Sequence, residues 1–218
     1  MKKVVIIHTS FVSVNELKDL FKEIMPSVNL FNIVDDSLLD EIIKNGGITE
    51  NVIKRICSYA VNAEQIGADL ILNQCSSAGE AVDIARRLVK PPFVKIDEAM
   101  AKKAVDIGGR ISVIATLGTT LGPSVRLIES ISAEKGKPVD IAPCLVEGAF
   151  DVLFYQNNKE KHNEMVLQRI EEEAHRSDAI VLAQGSMVVL LPRLDHIKVP
   201  VLTSPRSGVL REKEILGL

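Results

Sequence analysis

Asp69-Leu70-Ile71-Leu72-Asn73-Gln74-Cys75 is a short apolar run that breaks into polar residues, continued by Ser76 and Ser77, before the chain turns helical near Ala78-Gly79. A strand that is apolar throughout, without alternation, is buried on both faces, as in a parallel sheet covered by helices. The stretch recurs 109 residues later as Asp178-Ala179-Ile180-Val181-Leu182-Ala183-Gln184. Lys3-Val4-Val5-Ile6-Ile7-His8-Thr9 matches Arg110-Ile111-Ser112-Val113-Ile114-Ala115-Thr116 at an offset of 107, and Pro92-Phe93-Val94 matches Pro200-Val201-Leu202 at 108. Three matches in the same order at nearly constant offset imply a duplicated α/β unit.

Outward from these stretches, eight strands are expected: Lys3–Thr9, Val28–Val34, Asp69–Asn73, Pro92–Ile96, Ile111–Thr116, Pro138–Pro143, Ala179–Ala183 and Val199–Thr203. Between them, Val14, Leu17, Leu20, Phe21 and Ile24, or Met165, Val166, Ile170 and Ala174, repeat at helical spacing. The alternation predicts α/β architecture: two similar parallel-sheet lobes related by a pseudo-twofold, with the active site in a fixed cleft between them. The first lobe is read as residues 1–108, packed by a C-terminal helix at 206–218, and the second as 109–205. No Pro/Gly/Ser-rich linker separates them, and the join near Gly108-Gly109 is tight.

With 218 residues, 46% hydrophobic and 25% charged, the chain is neither a disulfide-stapled miniprotein nor a disordered tail. A net charge of −3 and 4% aromatic content with no Trp leave little to neutralise phosphates or stack bases, so nucleic acid is not an expected partner. Cys57, Cys75 and Cys144 show no metal-like spacing, and their odd number points to a reducing, cytoplasmic setting. The apolar start, Val4 to Ile7, is too short for a signal peptide. Ala179 to Leu191 is broken at Gln184-Gly185-Ser186, so no membrane span is expected. Neither GxGxxG nor GxxxxGK[ST] occurs, which leaves nucleotide binding to fold analogy alone. With no metal-like spacing no metal is expected, and a homodimer is the base-rate assembly.

In open parallel sheets ligands sit beyond the carboxyl ends of the strands. There the sequence places His8-Thr9-Ser10, Asn73-Gln74-Cys75-Ser76-Ser77, Thr116 with Gly118-Thr119-Thr120, and Gln184-Gly185-Ser186. Hydroxyls, amides and helix N-termini in that arrangement suit a small anion such as a carboxylate. Cys75 stands out among them, since a thiol at the start of a helix is expected to have a depressed pKa and to be partly ionised. Cys57 reads as core, and Cys144 as core or cleft edge. His8 is open between a base and a hydrogen-bonded strand-end residue. His162, His175 and His196 read as surface residues, and Glu171-Glu172-Glu173 as a solvated helix face. Arg206 could reach an anion, and Ser207 could do so or cap a helix.

In length, duplication and the pair Asp-Leu-Ile-Leu-Asn-Gln-Cys75 and Asp-Ala-Ile-Val-Leu-Ala-Gln184-Gly-Ser-Met, the whole chain resembles the aspartate/glutamate/hydantoin racemase superfamily. Thr116-Leu117-Gly118-Thr119-Thr120 is similar to the carboxylate-holding threonine loop of its hydantoin branch. Ala142-Pro143-Cys144-Leu145-Val146-Glu147 resembles a glutamate-racemase segment. The resemblance implies cofactor-independent proton transfer at an α-carbon, using one cysteine from each half. Cys75 takes the first thiol position. The second, six residues after Asp178, holds Gln184, an amide that is neither a useful acid nor a base; Gly185 or Ser186 takes it if the register slips. The site implied is therefore Cys75 opposite Gln184, with His8, Thr9, Ser10, Ser76, Ser77, Thr116, Thr119, Thr120, Gly185 and Ser186 around the substrate. A one-thiol decarboxylase, a cis-trans isomerase of the same superfamily and a non-catalytic carboxylate-binding protein are the alternatives. Glutamate racemase itself fits least, because its Asp-Ser-Gly loop is replaced by His8-Thr9-Ser10.

Overall fold

The structure, a computed structural model, describes residues 1–218, which form two compact units: Met1–Glu98 with Pro205–Leu218, and Ala99–Ser204. The first unit runs β1 (Lys3–His8), α1 (Val14–Ile24), β2 (Asn29–Val34), α2 (Ser37–Lys44), α3 (Glu50–Gln65), β3 (Leu70–Asn73), α4 (Gly79–Ala85) and β4 (Phe93–Lys95). The second runs α5 (Glu98–Ile107), β5 (Arg110–Ala115), α6 (Gly118–Lys135), β6 (Asp140–Leu145), α7 (Ala149–Phe154), α8 (Lys159–Ala174), β7 (Ala179–Leu182) and β8 (Val201–Thr203). The chain closes with α9 (Ser204–Leu216), most of which belongs to the first unit. All eight expected strands are present, with ends displaced by no more than two residues.

Both sheets are wholly parallel and share one topology, β2-β1-β3-β4 and β6-β5-β7-β8. The duplication extends to register. Val4 pairs with Leu70 and Ile7 with Asn73; offsets of 107 and 109 turn these into Ile111 with Ala179 and Ile114 with Leu182, which are the pairs observed. Ile71 with Phe93 becomes Ile180 with Val201 in the same way. The two aspartates that open the matched stretches do the same work. Asp69 Oδ2 accepts the Lys3 N–H at 2.8 Å, and Asp178 Oδ2 accepts the Arg110 N–H at 2.8 Å. Gly109 serves this contact: it has φ +69°, and a Cβ there would stand 2.0 Å from Asp178 Oδ2.

Strand residues divide between the two faces of each sheet. In the first unit Val5, Ile7 and Ile71 pack with Leu38, Ile42, Ile56 and Ala60, whereas Val4, Ile6, Leu70 and Leu72 pack with Leu17, Phe21, Val209 and Leu216. In the second, Ile111 and Val113 meet Met100, Ala104, Val105 and Ile128, and Ile114, Ile180 and Leu182 meet Val166, Ile170 and Leu190. This packing moves the boundary between the units. The join read at Gly108-Gly109 lies inside the second unit, because α5 sets its apolar stripe against β5. No helix is long and apolar enough to cross a membrane.

Several outlying residues differ from expectation. His162 is buried, 3% exposed, with Nδ1 3.0 Å from Asn163 Oδ1, because its position on α8 faces inward. Glu173 is also buried and accepts the Ser112 hydroxyl at 2.7 Å, so the triple-glutamate run is not wholly solvated. Burial and that neighbouring carboxylate push the buried Cys144 thiol up. Arg206 pairs with Glu23 on the exposed surface at 2.7 Å, which engages the cation considered for an anion.

Glu212, on the inner side of α9, is fully buried, and neither carboxyl oxygen has a partner. Burial alone raises its pKa well above the ordinary value. A carboxyl raised on folding contributes fully only below its unfolded pKa, and stability falls as pH rises through the folded pKa. Glu212→Met is therefore expected to be more stable than the parent by about 1–3 kcal/mol in urea unfolding at neutral pH. The gap should narrow toward acid; equal stability at both pH values would show that the carboxyl is partnered in solution.

Candidate active site

Parallel strands that enter in register leave in register. Two residues beyond the Ile7–Asn73 pair of the first sheet come Thr9 and Cys75, and two beyond the Ile114–Leu182 pair of the second come Thr116 and Gln184. Each threonine faces its neighbour. The buried Thr9 hydroxyl, which has no hydrogen-bond partner, lies on the Cys75 side and favours the charged form of its sulfur. Thr116 donates both its N–H and its hydroxyl to Gln184 Oε1, at 2.7 and 3.0 Å. Cys75 (φ −112°, ψ 112°) and Gln184 (φ −120°, ψ 128°) are both extended residues preceding a 3-10 segment, Ser76–Ala78 and Gly185–Arg193. Their carbonyls accept the N–H three residues on, from Ala78 at 3.1 Å and Met187 at 3.0 Å. By backbone, Gln184 rather than Gly185 or Ser186 is the counterpart of Cys75.

Cys75 is half-buried and packs on its edge of the core beside Ala78 and Val82. Around its sulfur stand the Thr9 and Ser77 hydroxyls and the N–H groups of Ser77 and Ala78. These donors favour a thiolate, but the burial that opposes them is larger, and the thiol is pushed up rather than down. The depressed pKa expected from a helix start is thereby corrected. The turn is three residues long and α4 only seven, a weak dipole beside the cost of desolvation. The resting group is the thiol.

The neighbours fix this loop. Asn73 is buried and donates from Nδ2 to the Cys75 carbonyl at 2.8 Å, leaving Oδ1 unpartnered. Gln74 Oε1 accepts the Ser13 hydroxyl at 2.8 Å, which ties the loop after β3 to the one after β1. His8 is fully buried, with Nε2 2.8 Å from Asn32 Oδ1 and Nδ1 unpartnered. Burial, helped by the Lys18 charge and opposed by the Asn32 bond, lowers its pKa and keeps the imidazole neutral. With the Asn32 oxygen accepting, the proton is assigned to Nε2 and the lone pair to Nδ1. Ser10 and Ser76 are partly exposed, Ser77 buried.

In the second unit Thr119 and Thr120 lie in the first turn of α6, an 18-residue helix with a full N-terminal dipole. Thr119 Oγ1 is buried without a partner. Gly185 and Ser186 are half-buried in the turn after Gln184. No three His, Cys, Asp or Glu side chains gather as metal ligands. Sequence reading missed two residues of the first unit's shelf: Asn32, which holds His8, and Asp97, which is buried just past β4 and bonded to Ser76. Applying the strand-end rule to the fourth strand as well as to the first and third would have found Asp97.

A sequence model of the Asp/Glu/hydantoin racemase family matches residues 4–210. Among solved structures, allantoin racemase from Klebsiella pneumoniae superimposes with a TM-score of 0.72 at 20% identity, covering 100% of this chain and 89% of that one. Glutamate racemase from Francisella tularensis, in complex with D-glutamate, gives 0.76 at 12% identity, with 99% and 81% covered. Aspartate racemase from Picrophilus torridus gives 0.69 at 14%, with 100% and 95% covered. At these identities the superpositions speak to the fold.

The Cys75 environment predicts its reactivity. Alkylation by iodoacetamide, followed site by site by mass spectrometry, is expected to show an apparent pKa for Cys75 above the roughly 8.5 of a free thiol. A midpoint near 7 would show that the donors outweigh burial.

Proposed function

The chain belongs to the Asp/Glu/hydantoin racemase family, and we propose that it is a cofactor-independent isomerase acting on a small carboxylate or amino-acid derivative, with Cys75 as the reacting thiol. The observation that carries this reading is the ring of donors around the Cys75 sulfur. A buried thiol needs no such set for packing, whereas a thiolate formed during turnover does. In the second unit, Thr119, Thr120 and the backbone at Gly185 and Ser186 are the proposed holders of carboxylate and enolate oxygens, whereas Thr116 gives both its donors to Gln184. Ser76, Ser77, Thr9, Ser10 and His8 line the thiol's own half.

The chemistry is one-sided. The resting thiol first gives its proton to water; as a base, the Cys75 thiolate then takes the proton from the substrate α-carbon, whose electron pair moves onto the carbonyl oxygen, and the re-formed thiol returns a proton to the same carbon. Gln184 cannot complete an inversion, because its carbonyl is engaged by Thr116 and an amide does not exchange protons usefully near neutrality. The alternative nucleophilic course has sulfur add to a carbon–carbon double bond, the resulting single bond rotate, and sulfur leave with the double bond restored. A second reading is favoured by the raised thiol pKa: a resting thiol is a proton donor, as a one-thiol decarboxylase requires once carbon dioxide has left.

The test is a panel of amino acids, hydantoins, malonates and cis-dicarboxylates incubated in deuterated water. A responsive substrate should exchange its α-proton with optical activity retained, lose carbon dioxide, or change double-bond geometry. The rate should fall by about 10²-fold or more in Cys75→Ser. Gln184→Cys is expected to convert exchange into racemisation. Full activity in Cys75→Ser removes the thiol from the mechanism, and ligand protection of Cys75 from alkylation without turnover reduces the protein to a carboxylate binder.

A further inference from the structure

Asp97 lies two residues beyond Lys95, the last residue of β4, which pairs in register with Asn73. The Ile96 N–H still donates to the Asn73 carbonyl at 3.0 Å, so Asp97 leaves the sheet beside the loop that carries Cys75. Its side chain is 3% exposed, and its carboxyl is bonded to the Ser76 hydroxyl and to its own N–H, leaving Oδ1 unpartnered. An aspartate directly before a helix ordinarily accepts from the N–H groups of that helix's first turn. Asp97 precedes α5 but is turned back to Ser76.

Ser76 opens the three-residue turn whose Ser77 and Ala78 N–H groups and Ser77 hydroxyl stand against the Cys75 sulfur. The turn's own ladder is two main-chain bonds, from the Ala78 N–H to the Cys75 carbonyl and from the Gly79 N–H to the Ser76 carbonyl, which the Ser76 side chain supplements. Resting on the reading of Cys75 as the reacting thiol, we propose that Asp97 is a positioning residue: through Ser76 it anchors the 76–78 turn, so that the turn's donors stay on the sulfur when it ionises. The charged neighbours of Asp97 are Lys95, itself paired with Asp83 at 2.7 Å, and Glu98. The groups set against the sulfur are hydroxyls and N–H groups. Burial raises the Asp97 pKa, which favours a neutral carboxyl whose oxygen accepts the Ser76 hydroxyl.

The experiment is site-resolved alkylation of Cys75 by iodoacetamide across pH, on the full chain, with fold checked by circular dichroism. Asp97→Ala and Ser76→Ala should each move the Cys75 midpoint upward by about one pH unit, the equivalent of one hydrogen bond to a charged group. The double variant should move it no further, and Asp97→Asn, which keeps an acceptor for Ser76, should restore most of the shift. An unmoved midpoint in folded Asp97→Ala, additive shifts, or Asp97→Asn behaving as Asp97→Ala overturns the anchor. If Asp97→Ala does not fold, Ser76→Ala and Asp97→Asn decide alone. Because alkylation needs no turnover, this result is separate from the Cys75→Ser activity test.

Discussion

Each sheet depends on an aspartate that holds the first main-chain N–H of the neighbouring strand, Asp69 on Lys3 in the first unit and Asp178 on Arg110 in the second. A parallel sheet has no hairpin to set its register, and a slip of one residue would turn every side chain to the opposite face. Locking the strands where they enter fixes where they leave. Thr9 is thereby placed beside Cys75, and Thr116 beside Gln184. Gly109 belongs to the same device, since a side chain there would occupy the space of the Asp178 carboxylate.

The apolar strands and the offsets near 108 made the sheets legible, because burial on both faces leaves a continuous hydrophobic run and duplication preserves order. Cys75 and Gln184 were legible as counterparts for the same reason, each standing six residues beyond its aspartate. What the sequence hid was electrostatic. The helix-start rule pointed toward an ionised thiol, but the balance between a short dipole and desolvation depends on how many atoms crowd the sulfur, which no local motif encodes. Burial of His162 and Glu173 was hidden likewise, since a helix face rich in charge shows its inward residue only once its neighbours are in place. The division between units shifted because α5 follows a strand of one half in sequence and packs on a strand of the other.

The thiol's surroundings combine an unfavourable medium with favourable contacts. Burial opposes charge on Cys75, while hydroxyl and main-chain donors lie against its sulfur and favour it. Such an arrangement suits a group that is ionised only in passing, because donors fixed beforehand need no reorganisation when it ionises. Asn73, Gln74 and Asp97 hold the loop by three separate bonds, to the Cys75 carbonyl, to Ser13 and to Ser76.

Gln184 carries the opposite commitment. With its carbonyl clamped by two bonds from Thr116, it is fixed within the second unit's own loop. Because Gln184 takes both Thr116 donors, an anion entering that loop would meet the Thr119 hydroxyl and the N-terminus of α6 instead, so Gln184 decides which part of the second unit's shelf stays open to charge.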